Sequence, residues 1–211
     1  MPSPLLFDIH FPQGPLSLWV QAIWSAQVPV NQQTVKRRLF ADAGSGILFN
    51  LGEPLLVDNE VWHDPVVFQS TNKQAHFIHL PAGADLAGVR FQPGMGSVFQ
   101  TELAKLESTV RPLQTSEFIQ SLMVLLENGL TVQDRISLLS NAFDQVVSNM
   151  VHIHDPVVKA IELLQQSSRV DLLETLPLSQ RQIERQFQRR LSMSPKYFQR
   201  LRRVRAVLLA L

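Results

Sequence analysis

The sequence contains no cysteine among its 211 residues. Disulfides, thiolate metal sites and cysteine nucleophiles are therefore excluded. It also has no apolar stretch approaching the ~20 residues that span a bilayer, and its N-terminus has no basic segment followed by an apolar core. These absences predict a soluble, cytoplasmic protein with no membrane partner.

Charge is nearly balanced overall, with a net of +1, but it is unevenly distributed along the chain. Residues 1–155 hold eight Lys or Arg and fourteen Asp or Glu, whereas residues 156–211 hold eleven basic and four acidic residues. Such asymmetry predicts a polyanion-binding C-terminal part on a neutral-to-acidic body. The length and the 45% apolar content allow one large domain or two small ones, with a real core.

Between residues 16 and 92 the chain has short runs rich in Val, Ile and Phe, separated by turn-forming residues. Several short strands at close spacing, with no helical period between them, predict an antiparallel barrel or sandwich. For residues 18–24 the pattern leaves helical and extended conformations both open. The expected strands are Thr34–Phe40, Gly46–Leu51, Pro65–Thr71, Ala75–Leu80 and Leu86–Phe91.

From Met95 onward the apolar spacing becomes helical. Ser116–Leu126 is one expected helix, and the apolar stripe from Val132 to Met150 predicts a long one. That stripe is expected to pack in the core of its own chain or, as the alternative, against a second copy. Asp155-Pro156 predicts the start of a helix that ends near Gln166, and a helix of two turns is expected over Arg169–Leu176.

The stretch Pro177–Lys196 has the local signals of a capped amphipathic helix. Ser179 and Gln182 form an S-x-x-Q capping box. Nine basic residues and a single acid follow Pro177, a density that favours phosphate contact over ordinary solvation. Three apolar residues recur every four positions and give one buried stripe: Ile183, Phe187 and Leu191.

The segment L-L-E-T-L-P-L-S-Q-R-Q-I-E-R-Q-F-Q-R-R-L-S-M-S-P-K resembles the first helix-turn-helix of AraC-type transcriptional regulators, in which L-S-x-R-x-L-x-R-x-F precedes S-P-K. Arg38–Gly52 resembles the first sheet motif of one subgroup of that family, and Ala87–Gly94 resembles the strand-to-helix junction of that subgroup. The resemblance implies an α+β fold: an antiparallel β-barrel or sandwich-like (cupin-like) effector domain over residues 1–94, a helical dimerisation region over 95–152, and an all-α helix-turn-helix domain over 153–211. The family carries two such units, and this sequence ends within the helix that joins them.

The same resemblance implies a role for each polar residue of this motif. Arg can pair bidentately with guanine and Glu can accept from cytosine. The family has Gly after the recognition helix, where this chain has Ser192, which is costlier in a left-handed conformation by roughly 1 kcal/mol. Base contacts are implied for Arg181, Glu184 and Arg185, and phosphate contacts for Gln188, Arg189, Lys196 and Arg200.

The expected function is sequence-specific binding of double-stranded DNA by a homodimeric, ligand-responsive transcriptional regulator. The alternative is a truncated regulator that senses a ligand or dimerises without useful DNA binding. Trp24, Phe49 and Phe68 are expected to pack in the barrel interior or, alternatively, to contact a small-molecule effector. His76 and His79 fall on opposite faces of one strand, so no metal site is expected. No catalytic constellation or cofactor motif stands out, and no enzymatic activity is expected.

Overall fold

The computed structural model describes residues 5–39, 41, 43–71, 73–108, 112–150, 156–166 and 176–209. For residues 156–157, 165–166 and 204–209 the description is limited to the backbone. Within these ranges the strands come first and the α-helices follow, which confirms the α+β class. The strands are β1 Leu6–His10, β2 Val20–Gln27, β3 Val35–Leu39, β4 Gly46–Asn50, β5 Leu55–Val57, β6 Glu60–Trp62, β7 Val66–Gln69, β8 His76–Leu80 and β9 Asp85–Phe91. The helices are α1 Met95–Leu106, α2 Glu117–Leu126, α3 Val132–Ser148, α4 Pro156–Gln166, α5 Gln180–Leu191 and α6 Pro195–Leu209.

The described strands form two antiparallel sheets. The larger sheet has the order β1-β2-β9-β4-β7, and the smaller has the order β3-β8-β5-β6. The register of the larger sheet pairs Ile23 with Val89 and Ile47 with the same Val89, so β9 lies at its centre. The expectation of an antiparallel N-terminal half is confirmed, as two sheets in a sandwich rather than one closed barrel.

The centre of the five-stranded sheet is covered on both faces. In β4, Ile47 and Phe49 belong to a core shared with the helices, whereas Leu48 belongs to a core shared with the four-stranded sheet. Successive side chains of a strand point to opposite faces, so β4 is buried at all five positions. The result is three layers: the four-stranded sheet, the five-stranded sheet, and a layer formed by α1, α2 and α3.

The helical layer is held to the sheet by a group of phenylalanines. The Phe99 ring lies 5.1 Å from Phe91 of β9 and 5.2 Å from Phe143 of α3, measured between centroids. The apolar stripe of α3, which includes Ile136 and Leu139, is buried against this group. The stripe therefore packs in the core of its own chain, which is the first of the two alternatives that the sequence left open.

Helices α2 and α3 begin at hydroxyl caps. The Ser116 hydroxyl accepts from the Ile119 N–H, and Thr131 forms a full capping box with Asp134. The Thr131 hydroxyl, followed by the Thr131 N–H, lowers the pKa of the Asp134 carboxyl below its ordinary value. These caps satisfy donors that the first helical turn leaves without intrahelical partners.

One buried ion pair ties α3 to the sheet and was not foreseen. Arg135 is 3% exposed and makes a bidentate pair with Asp85, in which Nη2 lies 2.8 Å from Oδ2. Asp85 Oδ2 also accepts from the Gln27 side-chain amide at 3.2 Å. The sequence does not predict this pair, because Asp85 lies fifty residues before Arg135 and no local pattern connects the two.

All five expected strands are present, with ends that coincide or differ by at most two residues. Three strands were missed: β1, whose five residues are all exposed, and the three-residue strands β5 and β6. The segment left open at residues 18–24 is a 3₁₀ turn over Gly14–Leu18 followed by β2. Helix α4 has the expected bounds, and the expected helix over 169–176 lies outside the described residues apart from Leu176.

The C-terminal helices share a core with a loop of the sheet domain. Ala43, which is 0% exposed, belongs to the same apolar cluster as Ile161 of α4 and Leu191 of α5. Gly94, at the start of α1, faces both of these side chains closely enough that an added Cβ would lie 2.5 Å from Ile161 Cδ1. The Tyr197 hydroxyl donates to the Lys73 carbonyl at 3.3 Å. The C-terminal helices are thus docked on the sheet domain.

Candidate nucleic-acid interface

Helix α5 begins at a complete capping box. The Ser179 hydroxyl accepts from the Gln182 N–H at 3.3 Å, and the Ser179 N–H donates to Gln182 Oε1 at 2.8 Å. Leu178 and Ile183, on either side of this cap, pack in the same apolar cluster. Such a staple fixes the direction in which the chain enters the helix. The first turn of α5 is therefore held by both polar and apolar contacts.

The inner face of α5 is fully buried. Ile183, Phe187 and Leu191 are 4%, 0% and 0% exposed. The Phe187 ring meets Phe198 of α6 edge to face, with 5.9 Å between centroids. This stripe anchors α5 against α4 and α6 and fixes which side of the helix faces outward.

The outer face of α5 carries the residues for which DNA contacts were implied. Arg181, Glu184, Arg185 and Gln188 are exposed and, at 100° per residue, fall within an arc of about 100° on the helix surface. Arg189 is exposed at the flank of that arc. The Glu184 carboxylate accepts from the Gln180 side-chain amide at 3.1 Å, which orients it along the helix. The structure thus brings the two predicted base-contacting arginines and the glutamate onto one open face.

The remaining predicted phosphate contacts lie on α6. The Ser194 hydroxyl accepts from the Tyr197 N–H at 3.2 Å, and Pro195 is the first residue of the helix. Lys196 and Arg200 are exposed four residues apart, which places them on one side of α6. Arg203, which the sequence reasoning did not single out, is exposed three residues further along the same side.

Another arginine of α6 has a structural role. Arg202 is half-buried, and its Nη1 donates to the carbonyl of Leu164 in the last turn of α4 at 2.5 Å. Carbonyls at a helix end have no intrahelical partner, so this contact both fixes α6 and satisfies the end of α4. The adjacent Arg202 and Arg203 cannot be assigned to these different roles from sequence, because the assignment depends on where α4 ends in space.

The surface formed by α5 and the described part of α6 is strongly basic. Residues 176–203 contain eight Lys or Arg and one acid, Glu184. Arg190 and Arg202 are partly buried, and the other six basic side chains are exposed. A surface of this kind attracts a polyanion and gives affinity that falls with added salt.

The C-cap of α5 is strained. Ser192 has φ 52° and ψ 33°, the left-handed conformation that glycine adopts at little cost. The side chain that follows, Met193, is 4% exposed and packs in the same cluster as Leu191. The left-handed residue thus lies between two buried side chains, Leu191 and Met193, just before the Ser194 cap of α6.

The three aromatic residues considered as ligand contacts do not share one interior. Trp24 packs against the cluster between the two sheets, whereas Phe49 and Phe68 pack in the cluster beneath the helices. Phe49 is 0% exposed, and the indole of Trp24 fills the space over Gly88. These positions place them on opposite faces of the five-stranded sheet, where they contribute to packing.

A groove of about 510 Å³ lies elsewhere, between β1 and the first turn of α3. It is open to solvent and is lined partly by the β-strand residues Leu6, Phe7 and Asp8. No group of three or more metal-binding side chains occurs among the described residues. His76 instead contacts Asp58 at 2.7 Å, and the Phe77 N–H, followed by His76, lowers the pKa of the Asp58 carboxyl. Within the described part of the chain, no helix is both long and apolar enough to cross a bilayer.

Comparison with known proteins adds little to this description. Residues 9–110 match the model of a family described as a domain of unknown function (DUF6597), a match that begins within β1 and includes β2 to β9 and α1. No curated protein matches the chain. The crystal structure of the AraC-like transcriptional activator CuxR aligns with 96% of this chain and 86% of its own, at 14% sequence identity and a TM-score of 0.32. Identity and structural similarity this low establish neither a shared fold nor a shared function.

Proposed function

We propose that this chain is a non-enzymatic transcriptional regulator of the AraC type that binds duplex DNA in the cytoplasm through α5. One observation carries the proposal: α5 is capped and stapled at its start, buried along one side, and open along the other, where it presents arginines and a glutamate. In this proposal, residues 153–211 form a helix-turn-helix unit in which α5 is the recognition helix.

The dimensions of α5 suit the major groove. Its 12 residues span about 18 Å, and a helix of about 10–12 Å diameter fits a groove about 12 Å wide. The Arg181 and Arg185 guanidinium groups would each pair with O6 and N7 of a guanine. The Glu184 carboxylate would accept from the exocyclic amine of a cytosine while keeping its contact with Gln180.

Phosphate contacts would fix the register of the helix on the duplex. Gln188 and Arg189 at the flank of α5, together with Lys196 and Arg200 on α6, are assigned to this role. Because α6 is itself fixed to α4 through Arg202, the phosphate-binding side chains start from a rigid support. Contacts of this kind position the protein without reading sequence.

The docked position of the C-terminal helices suggests how the sheet domain would act. Ala43, Gly94 and the Lys73 carbonyl all belong to the sheet domain or its exit, and all contact the C-terminal helices. An effector or a dimer contact that shifted these points would shift α5 with them. The sheet domain is therefore proposed as the regulatory part, with a small-molecule effector as its candidate ligand.

The test is a binding titration with the complete 211-residue chain. A target is first selected from a pool of random duplexes, and fluorescence anisotropy then compares it with a scrambled duplex between about 50 and 200 mM salt. Arg181→Ala or Arg185→Ala is expected to cost about 1–3 kcal/mol of discrimination at one base position. Arg189→Ala is expected to weaken binding to both duplexes alike and to lower the salt slope by about 1.

The matched control is Lys105→Ala, which removes one positive charge from α1 and should leave both titrations unchanged. Affinity that does not respond to salt would contradict the proposal. Selection that enriches no sequence, with equal affinity for all duplexes, would contradict the sequence-reading role of α5. In that event the chain would fit a sensing or dimerising module that does not use DNA.

A further inference from the structure

Strand β1 is an exposed, apolar sheet edge. It is the first strand in the order of the five-stranded sheet, so β2 pairs with one of its sides only. All five of its residues are exposed, and Phe7 and Ile9, together with Phe11 just after the strand, are 53%, 38% and 54% exposed. An open edge of this kind is a template for pairing with another strand.

The direction of the outer backbone groups of β1 is indicated by one contact. The Ile9 N–H donates to the Asp8 carboxylate, with 2.8 Å from N to Oδ1, so this donor lies on the outer side of the strand. Backbone groups alternate along a strand, and therefore Phe7 and Ile9 present their N–H and C=O outward. The same alternation, extended by one residue past the strand, places those of Phe11 on this side, where its C=O accepts from the Gln13 side-chain amide at 3.3 Å. A second strand that pairs with β1 must bond to these three residues.

We propose that β1 pairs antiparallel with β1 of a second copy of this chain, about a two-fold axis that passes through Ile9. In this register Ile9 faces Ile9 of the second copy, Asp8 faces His10, and Phe7 faces Phe11. The sequence F-D-I-H-F over residues 7–11 is self-complementary when it is paired with itself in reverse. A two-fold interface requires this property, because each contact of residue i with j is repeated as j with i.

The neighbouring registers are less favourable than this one. A shift of two residues one way places Asp8 opposite Asp8, so that two carboxylates meet. A shift of two residues the other way places His10 opposite His10. Like charges directly opposite one another destabilise a strand pair, and either shift gives up the two Asp8–His10 pairs, in which the carboxylate can accept a hydrogen bond from the imidazole. Shifts of one residue would pair inward-directed backbone groups with outward-directed ones.

The two sides of the strand would contribute differently. Phe7, Ile9 and Phe11 share one side of the strand, so pairing buries six apolar side chains in one patch. Asp8 and His10 share the other side. In the single chain the Asp8 carboxylate occupies the Ile9 N–H. On pairing, this carboxylate passes to His10 of the second copy, and the Ile9 N–H becomes free to bond to the backbone of that copy.

The inference does not depend on DNA binding, and its test uses the complete chain without DNA. The chain has no cysteine, so a single introduced thiol can form a disulfide only between two copies. A hydrogen-bonded antiparallel pair has its Cα atoms about 5.5 Å apart, within the range that a disulfide accepts. Ile9→Cys is therefore expected to give a covalent dimer under mild oxidation.

Two controls fix the position and the register of the pairing. Val61→Cys places a thiol on β6, an edge strand of the other sheet that is also exposed, and should not cross-link. Phe7→Cys alone should not cross-link either, because the two thiols would lie about 14 Å apart along the strands. A mixture of Phe7→Cys and Phe11→Cys chains should cross-link with each other.

Sedimentation velocity measures the non-covalent association. Ile9→Lys is expected to raise the dimer dissociation constant about tenfold or more, because it removes apolar burial and places two cations on the axis. Asp8→Lys should weaken the dimer, and Asp8→Lys with His10→Asp should restore it. Circular dichroism confirms that each variant keeps its fold. A monomer at high concentration, or a dimer that Ile9→Cys does not trap, would overturn the proposal; in the second case the exposed Val124 and Leu125 of α2 become the candidate interface.

Discussion

Replacement of Gly94 by alanine tests whether the C-terminal helices are fixed to the sheet domain. Gly94 has φ +79°, and an added Cβ would lie 2.5 Å from Ile161 Cδ1 and 3.2 Å from Leu191 Cδ2. The left-handed conformation alone costs a residue with a Cβ about 1 kcal/mol. The collision adds about 1–3 kcal/mol of overpacking, since Ile161 is 2% exposed and has little room to move. The expected loss of unfolding free energy is therefore about 2–4 kcal/mol.

Gly129→Ala separates the two contributions. Gly129 also has positive φ, at +67°, but a Cβ there would meet no atom within 4 Å. This variant should lose only the conformational cost of about 1 kcal/mol. Urea unfolding of both variants, followed by far-ultraviolet circular dichroism and by tryptophan fluorescence, measures the difference. Trp19, Trp24 and Trp62 all lie in the sheet domain, so the two signals together report whether helices and sheets unfold as one unit.

A compensating change identifies the colliding atom. Ile161→Val removes Cδ1 and alone should cost about 0.5–1.5 kcal/mol. Combined with Gly94→Ala it should recover about 1 kcal/mol or more relative to the sum of the single changes, because the space for the new Cβ is now open. Equal losses for Gly94→Ala and Gly129→Ala, with additive effects in the double variant, would refute the docking of α4 and α5 on Gly94.

Three further changes test local features of the fold. Ser192→Gly should raise the unfolding free energy by about 0.5–1 kcal/mol, because glycine relieves the strain of the left-handed C-cap of α5. The gain is measured as a higher thermal midpoint of unfolding, and Ser192→Ala should show no such gain. Ser179→Ala should lower the unfolding free energy by about 1 kcal/mol and Ser179→Gly by only a few tenths, measured by urea unfolding. An unchanged unfolding free energy in Ser179→Ala would show that the hydroxyl bond to Gln182 contributes nothing. Arg135→Met should lower the unfolding free energy by about 3 kcal/mol, because it leaves the Asp85 carboxylate without its buried partner. Arg135→Met combined with Asp85→Leu should recover most of that loss. An Arg135→Met chain within about 0.5 kcal/mol of the parent chain would contradict this account.

The proposed dimer and the proposed DNA contacts have a joint consequence. A two-fold pairing through β1 would place two copies of α5 in one assembly, and a dimer of this kind reads two half-sites related by the same symmetry. The DNA selected from a random pool is then expected to contain an inverted repeat. Ile9→Lys should reduce selection to a single half-site while leaving the base preferences assigned to Arg181 and Arg185 unchanged. An unchanged inverted repeat with this variant would separate DNA recognition from β1 pairing.

The sequence by itself determined the features whose causes lie within a few residues. The Ser179–Gln182 cap, the Ile183–Phe187–Leu191 stripe and the start of α4 at Pro156 each involve groups three or four positions apart, so the chain specifies them locally. The five expected strands were found for the same reason, since each combines an apolar run with turn residues at its ends.

Tertiary structure decided the features that join distant segments. Whether Trp24 and Phe49 share an interior depends on the sheet face that each occupies. That face is set by strand pairing with β9, in which Trp24 lies opposite Gly88 and Phe49 lies opposite Ala87. β1 escaped prediction because a fully exposed edge strand has no alternation of buried and exposed residues. Contacts between residues three or four positions apart thus determine the capped helix α5. The surfaces that α5 and β1 expose to a partner depend instead on how distant segments of the chain pack together.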